Sequence, residues 1–98
     1  SQRAINGMIK QKAFRSKKYL AFVRTLPCSI CGTDQDVVAH HLIGVGGMGG
    51  MGTKAPDNYT LPLCVQDHFK IHQEPELWQH QWEWIARTQA RWIENEGL

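Results

Sequence analysis

Two short groups of cysteine and acidic residues have the spacing of a metal site. Cys28 and Cys31 form a C-x-x-C pair, and Cys64 is followed three residues later by Asp67. A thiol pair on a tight turn, with a second pair of ligands at the start of a helix, is typical of a closed tetrahedral zinc site. Asp67 is the favoured fourth ligand because it completes the second pair, and His72 is the alternative.

Histidines form a second candidate metal site. His68 and His72 are four residues apart, so one face of a helix would present both imidazoles. His40, predicted at the end of a strand, can supply a third ligand to the same ion. Three protein ligands with positions left open for water or substrate are typical of a catalytic metal site rather than a structural one.

The histidine that follows His40 has a different predicted role. His41 would lie beside the ion without binding it, and an imidazole of ordinary pKa, about 6.5, is a suitable general base near neutral pH. Asn58 can orient this imidazole, or the backbone that carries it, by hydrogen bonding. Such a site suits phosphodiester hydrolysis, with a divalent ion stabilising charge on the phosphate and His41 deprotonating the attacking water.

A glycine-rich segment lies between the two histidine groups, and residues 44–52 read GVGGMGGMG. With so few side chains, the backbone can approach a phosphodiester closely and offer its N–H groups, and Met48 and Met51 can press on sugars or bases. The alternative is a surface loop without a ligand role. The predicted DNA contacts of this segment are Gly46, Gly47, Gly49, Gly50 and Lys54.

Positive charge is concentrated at the start of the chain. Residues 1–24 carry seven Lys or Arg and no acid, whereas residues 74–98 carry five Glu against two Arg, and the whole chain has a net charge of +2. This asymmetry favours a polyanionic partner such as DNA, although a solvated terminus is the alternative. The predicted phosphate-binding cations are Lys10, Lys12, Arg15, Lys17 and Lys18.

The elements that must position these residues indicate an α+β fold. Apolar spacing predicts a helix over residues 14–25, ended by Pro27. DVVAHHLI and YTLPLC have strand composition, and CVQDHFKIHQ can form a helix. With 98 residues, the chain is predicted to form one domain over residues 14–98, preceded by a flexible basic arm over residues 1–13.

A long helix is predicted after Pro75. Trp78, Trp82 and Ile85 share one face with Trp92, and this apolar stripe is interpreted as core packing. Trp84 lies outside this apolar face and is predicted to be available for a surface contact.

The combined pattern resembles a known family of nucleases. The C-x-x-C pair, the His40-His41 pair, Asn58 and the later Cys64 and His68 resemble the HNH, or ββα-metal, endonucleases in their zinc-stapled treble-clef form. The segments YLAFVRTLPCSICG, AHHLIGVGGMGGMGTKAPDNYTLPLC and DHFKIH are similar, more narrowly, to the phage recombination enhancement function (Ref) family, whose members are RecA-dependent nucleases.

The resemblance implies roles for single residues. It makes His41 the general base, His40 and His68 metal ligands, with His72 a further ligand, and Asn58 the middle residue of the HNH pattern. Cys28, Cys31 and Cys64 match the zinc-binding cysteines of the family. At the fourth structural position, where relatives commonly have Cys or His, this chain has Asp67.

The resemblance also implies a cofactor set and a substrate. Flanking helices would surround the core, magnesium or manganese would support turnover, and zinc could occupy the catalytic site in crystals. The DNA would be presented on a RecA filament. The cellular setting would be the cytoplasm of a bacterial host cell.

Two other functional classes fit parts of the sequence. A non-catalytic treble-clef zinc module that binds nucleic acid or protein would need only the cysteine group and the basic arm. A thiol redox protein would use Cys28 and Cys31, but Cys64 and the lack of a βαβ pattern disfavour it. An odd number of cysteines, no signal peptide and no apolar run of about 20 residues favour a reducing, intracellular, non-membrane setting. The start at Ser1 suggests a fragment or a processed chain.

Overall fold

An antiparallel pair of strands followed directly by a helix forms the centre of the molecule. The computed structural model describes residues 13–47 and 54–97. In chain order, the elements are α1 (Lys17–Val23), β1 (Val37–His41), β2 (Thr60–Cys64), α2 (Val65–Gln73), a 3₁₀ helix (Pro75–His80) and α3 (Gln81–Glu96). The predicted α+β class is confirmed, with a two-stranded sheet and three α-helices.

The two strands pair over their full length. His40 lies opposite Leu61, and Val37 lies opposite Cys64. All five residues of β2 are buried, because helices pack on this strand from several sides. Pro62 is tolerated in a two-stranded sheet, where each strand has a free edge, and its carbonyl accepts a hydrogen bond from Ser29 N–H at 2.8 Å.

The first helix is shorter than the predicted span of residues 14–25. Ser16 caps α1 by accepting a hydrogen bond from Tyr19 N–H at 3.0 Å. The two residues before the cap are held away from helical geometry by the chain that precedes β2. Phe14 O accepts from Asp57 N–H at 2.8 Å, and the Arg15 guanidinium donates to Ala55 O at 2.6 Å.

The predicted tryptophan stripe is confirmed for Trp78, Ile85 and Trp92 and is wrong for Trp82 and Trp84. The buried residues of α3 are Gln81, Ile85 and Thr88. Trp84 packs against the core, whereas Trp82 is 36 % exposed. Trp82 and Trp84 lie on opposite sides of Ile85 around α3, and the buried Gln81 and Thr88 lie on the Trp84 side. The buried face of α3 is therefore turned toward Trp84.

The described residues contain no helix that is long and apolar enough to cross a membrane. The predicted basic arm falls almost entirely outside the described residues, together with its cations Lys10 and Lys12.

Candidate metal centres and the histidine beside them

The predicted cysteine site is assembled in the structure. Cys28 and Cys31 lie on the turn after α1, Cys64 ends β2, and Asp67 lies in the first turn of α2. One ligand atom from each of the four lies within 4.8 Å of the others. All three cysteines are free thiols. These four residues could therefore hold a metal ion.

The distances fit zinc in particular. The Cys31 and Cys64 sulfurs are 3.8 Å apart, and two sulfurs at about 2.3 Å from a tetrahedral zinc ion are about 3.8 Å from each other. Asp67 Oδ2 lies 3.2 Å from Cys28 Sγ and 3.3 Å from Cys64 Sγ, so its carboxylate could serve as a fourth ligand. The alternative fourth ligand, His72, belongs to the other cluster.

Local hydrogen bonds hold the two halves of this site. Cys28 N–H donates to Thr33 O at 2.8 Å, and Gly32 N–H donates to Cys28 O at 2.9 Å. Gly32 has a φ of +78°, a backbone region that glycine adopts without strain. On the other half, Cys64 is the N-cap of α2, and its sulfur accepts from Asp67 N–H at 3.4 Å.

The thiols of this cluster donate hydrogen bonds to the carboxylate of Asp67. Burial raises the pKa of Asp67, but hydrogen bonds from the thiols of Cys28, Cys31 and Cys64 outweigh it and hold the pKa below its ordinary value. The Asp67 N–H lowers the pKa of Cys64, but burial and hydrogen bonds within the cluster raise it to about 11. Metal binding must therefore release thiol protons, and affinity will rise with pH.

The predicted histidine cluster is also assembled. His40 on β1 faces His68 and His72 on α2, and one ring nitrogen of each lies within 4.8 Å of the others. The ring centroids are 5.0 to 5.4 Å apart. His40 is 1 % exposed, His68 is half-buried and His72 is exposed, so the cluster opens to solvent on the His72 side.

Burial keeps the deepest imidazole neutral. Burial is the main cause that lowers the pKa of His40 to about 4, with repulsion from the neighbouring histidines as a further cause. Burial and the nearby His72 lower the pKa of His68 as well. Neutral imidazoles have the lone pairs that a metal ion requires.

His41 points to the opposite side of β1, where a carboxylate holds it. Its Nε2 lies 2.8 Å from Asp57 Oδ1. Asp57 also accepts from Arg15 at 3.1 Å and from Ser16 N–H at 2.8 Å. Burial raises the pKa of Asp57, but hydrogen bonds from His41, Ser16 and Arg15 lower it below the ordinary value. Asp57 is therefore an anion that holds one nitrogen of His41.

Asp57, rather than the predicted Asn58, is the residue that holds His41. Asn58 Oδ1 is buried without a hydrogen-bond partner within the described part of the chain. The Asn58 carbonyl accepts from Gln89 Nε2, which fixes its backbone to α3. Residue type favours Asp57, because a carboxylate makes a stronger hydrogen bond to an imidazole than an amide does. A catalytic role for Asn58 stays a prediction.

One further residue at the histidine cluster was not predicted. Gln81, at the start of α3, is fully buried, and its Oε1 lies 2.9 Å from His40 Nε2. It is 41 residues away in sequence, and no spacing rule connects it to His40.

The glycines of the loop have a packing role that the sequence did not show. A Cβ on Gly44 would overlap the Trp78 ring, and a Cβ on Gly46 would lie 2.6 Å from the Trp82 ring. Gly46, predicted to face DNA, thus faces a tryptophan, whereas a Cβ on Gly47 would meet nothing within 4 Å. Gly49 and Gly50 lie outside the described residues.

The predicted phosphate-binding cations differ in whether groups of the protein already bind them. Arg15 is bound within the chain, to Ala55 O, Asp57 and Lys54 O, so its guanidinium positions Asp57 rather than being free for phosphate. Lys18 donates to Glu96 at 3.0 Å and lies 5.6 Å from the centre of the Trp92 ring. The side chains of Lys17 and Lys54 are exposed.

Comparison with known proteins places the chain in a family. Residues 8–94 match the family described as "Protein of unknown function (DUF968)". The chain belongs to the DUF968 family. It is 46 % identical over 65 residues to "Uncharacterized protein YdfU" of Escherichia coli strain K12, a match that covers 66 % of this chain and 18 % of that relative. The chain thus spans less than a fifth of the relative's length.

No solved structure matches the DUF968 chain significantly. The similar proteins carry no activity in their names, and the HNH and Ref assignments stay predictions.

Proposed function

We propose that this DUF968 chain is a metal-dependent DNA endonuclease of the HNH type. The observation that carries the proposal is the cluster of His40, His68 and His72. His41 is the next residue of the same strand, and because its ring faces Asp57 on the opposite side of β1, its approach to the scissile phosphate is itself part of the proposal. The order of two antiparallel strands followed by a helix, with the ligands on the first strand and on the helix, supports it. The cysteine site, in this proposal, is the structural zinc site of a treble-clef core.

The proposed chemistry uses His41 as the general base. Nε2 of His41 faces Asp57 at 2.8 Å and donates its proton there, because Asp57 is an anion. Nδ1 is then unprotonated and can take a proton from an attacking water. A divalent cation bound by the three imidazoles would supply positive charge to the scissile phosphate.

The proposed substrate is DNA on a RecA filament, and the proposed setting is the cytoplasm of a bacterial host cell. Both rest on the resemblance to the Ref family. The exposed Lys17 and Lys54 supply only part of the charge that phosphate binding requires. Binding should therefore be weak and salt-dependent without a protein that delivers the DNA.

The test is a cleavage assay with His41→Ala. We expect cleavage of RecA-coated single-stranded or displaced-strand DNA, in magnesium or manganese, to fall by at least about 10²-fold, as for loss of a general base. Circular dichroism and zinc content should be unchanged. His80→Ala, at an exposed histidine of the 3₁₀ helix, is the matched control and should keep full activity. Equal activity in the two variants would contradict the proposal.

The alternative is a non-catalytic zinc module that binds nucleic acid or protein. The cysteine cluster favours it, because that cluster accounts for a folded zinc domain without any chemistry at the histidines. In this alternative the wild-type protein shows no cleavage above a metal-free control, and His41→Ala binds DNA as the wild type does.

A further inference from the structure

The side chain of Gln81 uses all of its hydrogen-bonding groups inside the protein. Its Oε1 lies 2.9 Å from His40 Nε2 and accepts from Ile43 N–H at 3.2 Å. Its Nε2 donates to Ile43 O at 2.8 Å and to Trp78 O at 2.9 Å. Gln81 is 0 % exposed, so water is not available to replace any of these partners.

These contacts fix which end of the amide faces His40. Both protons of the Gln81 amide nitrogen are taken by backbone carbonyls, which accept and cannot donate. If the amide were turned over, its NH₂ group would face Ile43 N–H, and two donors would oppose each other. The oxygen therefore faces His40, and it requires a proton on Nε2 of that ring.

The protonation of His40 follows from this requirement. The neutral ring carries one proton, and a proton on Nε2 leaves Nδ1 with its lone pair free. Because the ring is 1 % exposed, the opposite tautomer would leave Nε2 facing the Gln81 oxygen with two acceptors in contact. A buried polar group left without a partner destabilises the folded state, so the tautomer with the proton on Nε2 is favoured.

We propose that Gln81 is a positioning residue that holds His40 with Nε2 protonated, so that the metal ion binds Nδ1. The inference rests on the proposed function, since it assumes the histidine metal site. Partners that hold the second nitrogen of a ligating histidine fix its tautomer and orientation. The same amide binds the backbone of Ile43, so Gln81 also ties His40 to the start of the glycine segment.

Nitrogen-15 NMR of the zinc-loaded protein tests the proposal directly. Long-range ring correlations should show Nδ1 of His40 bound to zinc and Nε2 carrying a proton. The opposite pattern in the wild-type protein, zinc on Nε2 and a proton on Nδ1, would overturn the inference. This measurement needs no variant, so it remains decisive even where a substitution at position 81 prevents folding.

Zinc affinity of the histidine cluster supplies the second measurement. Gln81→Met should weaken this affinity by about 10- to 100-fold, the range seen when a partner of a ligating histidine is lost. Gln89→Met is the matched control, because Gln89 lies on the same helix and bonds the Asn58 backbone instead of a histidine. Equal zinc affinities for the Gln81→Met and Gln89→Met proteins would overturn the inference.

Failure of this inference is distinguishable from failure of the proposed function. If the wild-type histidine cluster binds no divalent ion, both fail. If it binds zinc through Nε2 of His40, only the role of Gln81 fails, and DNA cleavage by the wild-type protein remains a separate question.

Discussion

At the scale of single residues, the two adjacent histidines of β1 differ because their second nitrogens have different partners. His40 points into the core toward α2 and meets a neutral amide, Gln81. His41 points the other way and meets an anion, Asp57. Either partner accepts through an oxygen and so favours a proton on the facing ring nitrogen, but only Asp57 adds a negative charge. The alternation of side chains along a strand thus gives the two imidazoles different surroundings, which suits the proposed roles of His40 as a ligand and His41 as a base.

Replacing Asp57 tests this arrangement. Asp57→Asn should lower the free energy of unfolding by about 1–3 kcal/mol, because the hydrogen bonds to Arg15 and Ser16 lose their charge. It should also reduce cleavage, because His41 loses its orientation. Since folding lowers the pKa of Asp57, its stabilisation is present above about pH 4 and is lost as the pH falls through the lowered value.

Urea unfolding of both proteins across pH measures this effect. The difference between wild type and Asp57→Asn should be largest near neutral pH and should shrink in acid. A difference that is constant down to pH 3 would contradict the assignment.

The residues of the two candidate metal clusters could be predicted from the sequence, and the hydrogen-bonding partners of the histidines could not. Paired spacings such as C-x-x-C and His68 to His72 are local, so they place ligands on one turn or one helix face before any tertiary structure is known. Asp57 and Gln81 reach the histidines over 16 and 41 residues. Only the packing of the chain that precedes β2, and of α3, against the sheet brings them there.

At the scale of elements, the 3₁₀ helix and α3 each present one tryptophan to the core. The 3₁₀ helix follows α2 after one residue, and its Trp78 Nε1 donates to Ile71 O at 2.9 Å, which ties the 3₁₀ helix to α2. In α3, the buried residues Gln81, Ile85 and Thr88 lie on the side of Trp84. The apolar period alone could not show this, because two of the three buried residues of α3 are polar and do not enter an apolar pattern.

Alanine at Trp82 and at Trp84, two of the three tryptophans of α3, should show which side of the helix is buried. Trp84→Ala should lower the free energy of unfolding by about 2–3 kcal/mol, below the full-burial range of about 3–5 kcal/mol because Trp84 is only half-buried. Trp82→Ala should cost about 1 kcal/mol or less, since this ring is exposed. Urea denaturation measures both, and a larger loss for Trp82→Ala would contradict the observed phase.

At the start of the glycine segment, Gly44 packs closely against the Trp78 ring. Gly44 and Gly47 both have positive φ, +74° and +63°, so alanine at either position costs about 1–2 kcal/mol of backbone strain. Gly44→Ala should cost about 1–3 kcal/mol more, because its Cβ would overlap Trp78. Gly47→Ala, with open space around it, is the internal control. Equal unfolding free energies for the two variants would contradict the close approach of Gly44 to Trp78.

At the scale of the whole molecule, the fold class followed from composition and the order of elements. β-branched residues indicated β1, and the composition of YTLPLC indicated β2. Ligand spacing then marked the helix after them. The core is small, with ten buried apolar residues in the described part of the chain. A domain of this size gains much from a metal that joins separate segments.

The two metal centres should contribute unequally to the stability of the molecule. The cysteine cluster joins the turn after α1 to β2 and α2, and two of its four residues, Cys28 and Cys64, are buried. The histidine cluster joins β1 and α2, which already pack together, and His72 leaves it open to solvent. A closed four-ligand site holds zinc more tightly than an open three-ligand site. A chelator should therefore empty the histidine cluster first, and the cysteine cluster later.

Stepwise chelation followed by thermal unfolding tests this order. Emptying the histidine cluster should change Tm little, and His72→Ala should remove that first step of zinc release. Zinc present at 1,000 times its Kd stabilises by about 4.1 kcal/mol, and each kcal/mol shifts Tm by about 4–8 °C in a domain of this size. Emptying the cysteine cluster should thus lower Tm by about 20 °C, and Cys28→Ser should do the same without a chelator. An unchanged Tm after complete zinc removal would show that the core is stable without the ion, and the structural role of the cysteine cluster would be lost.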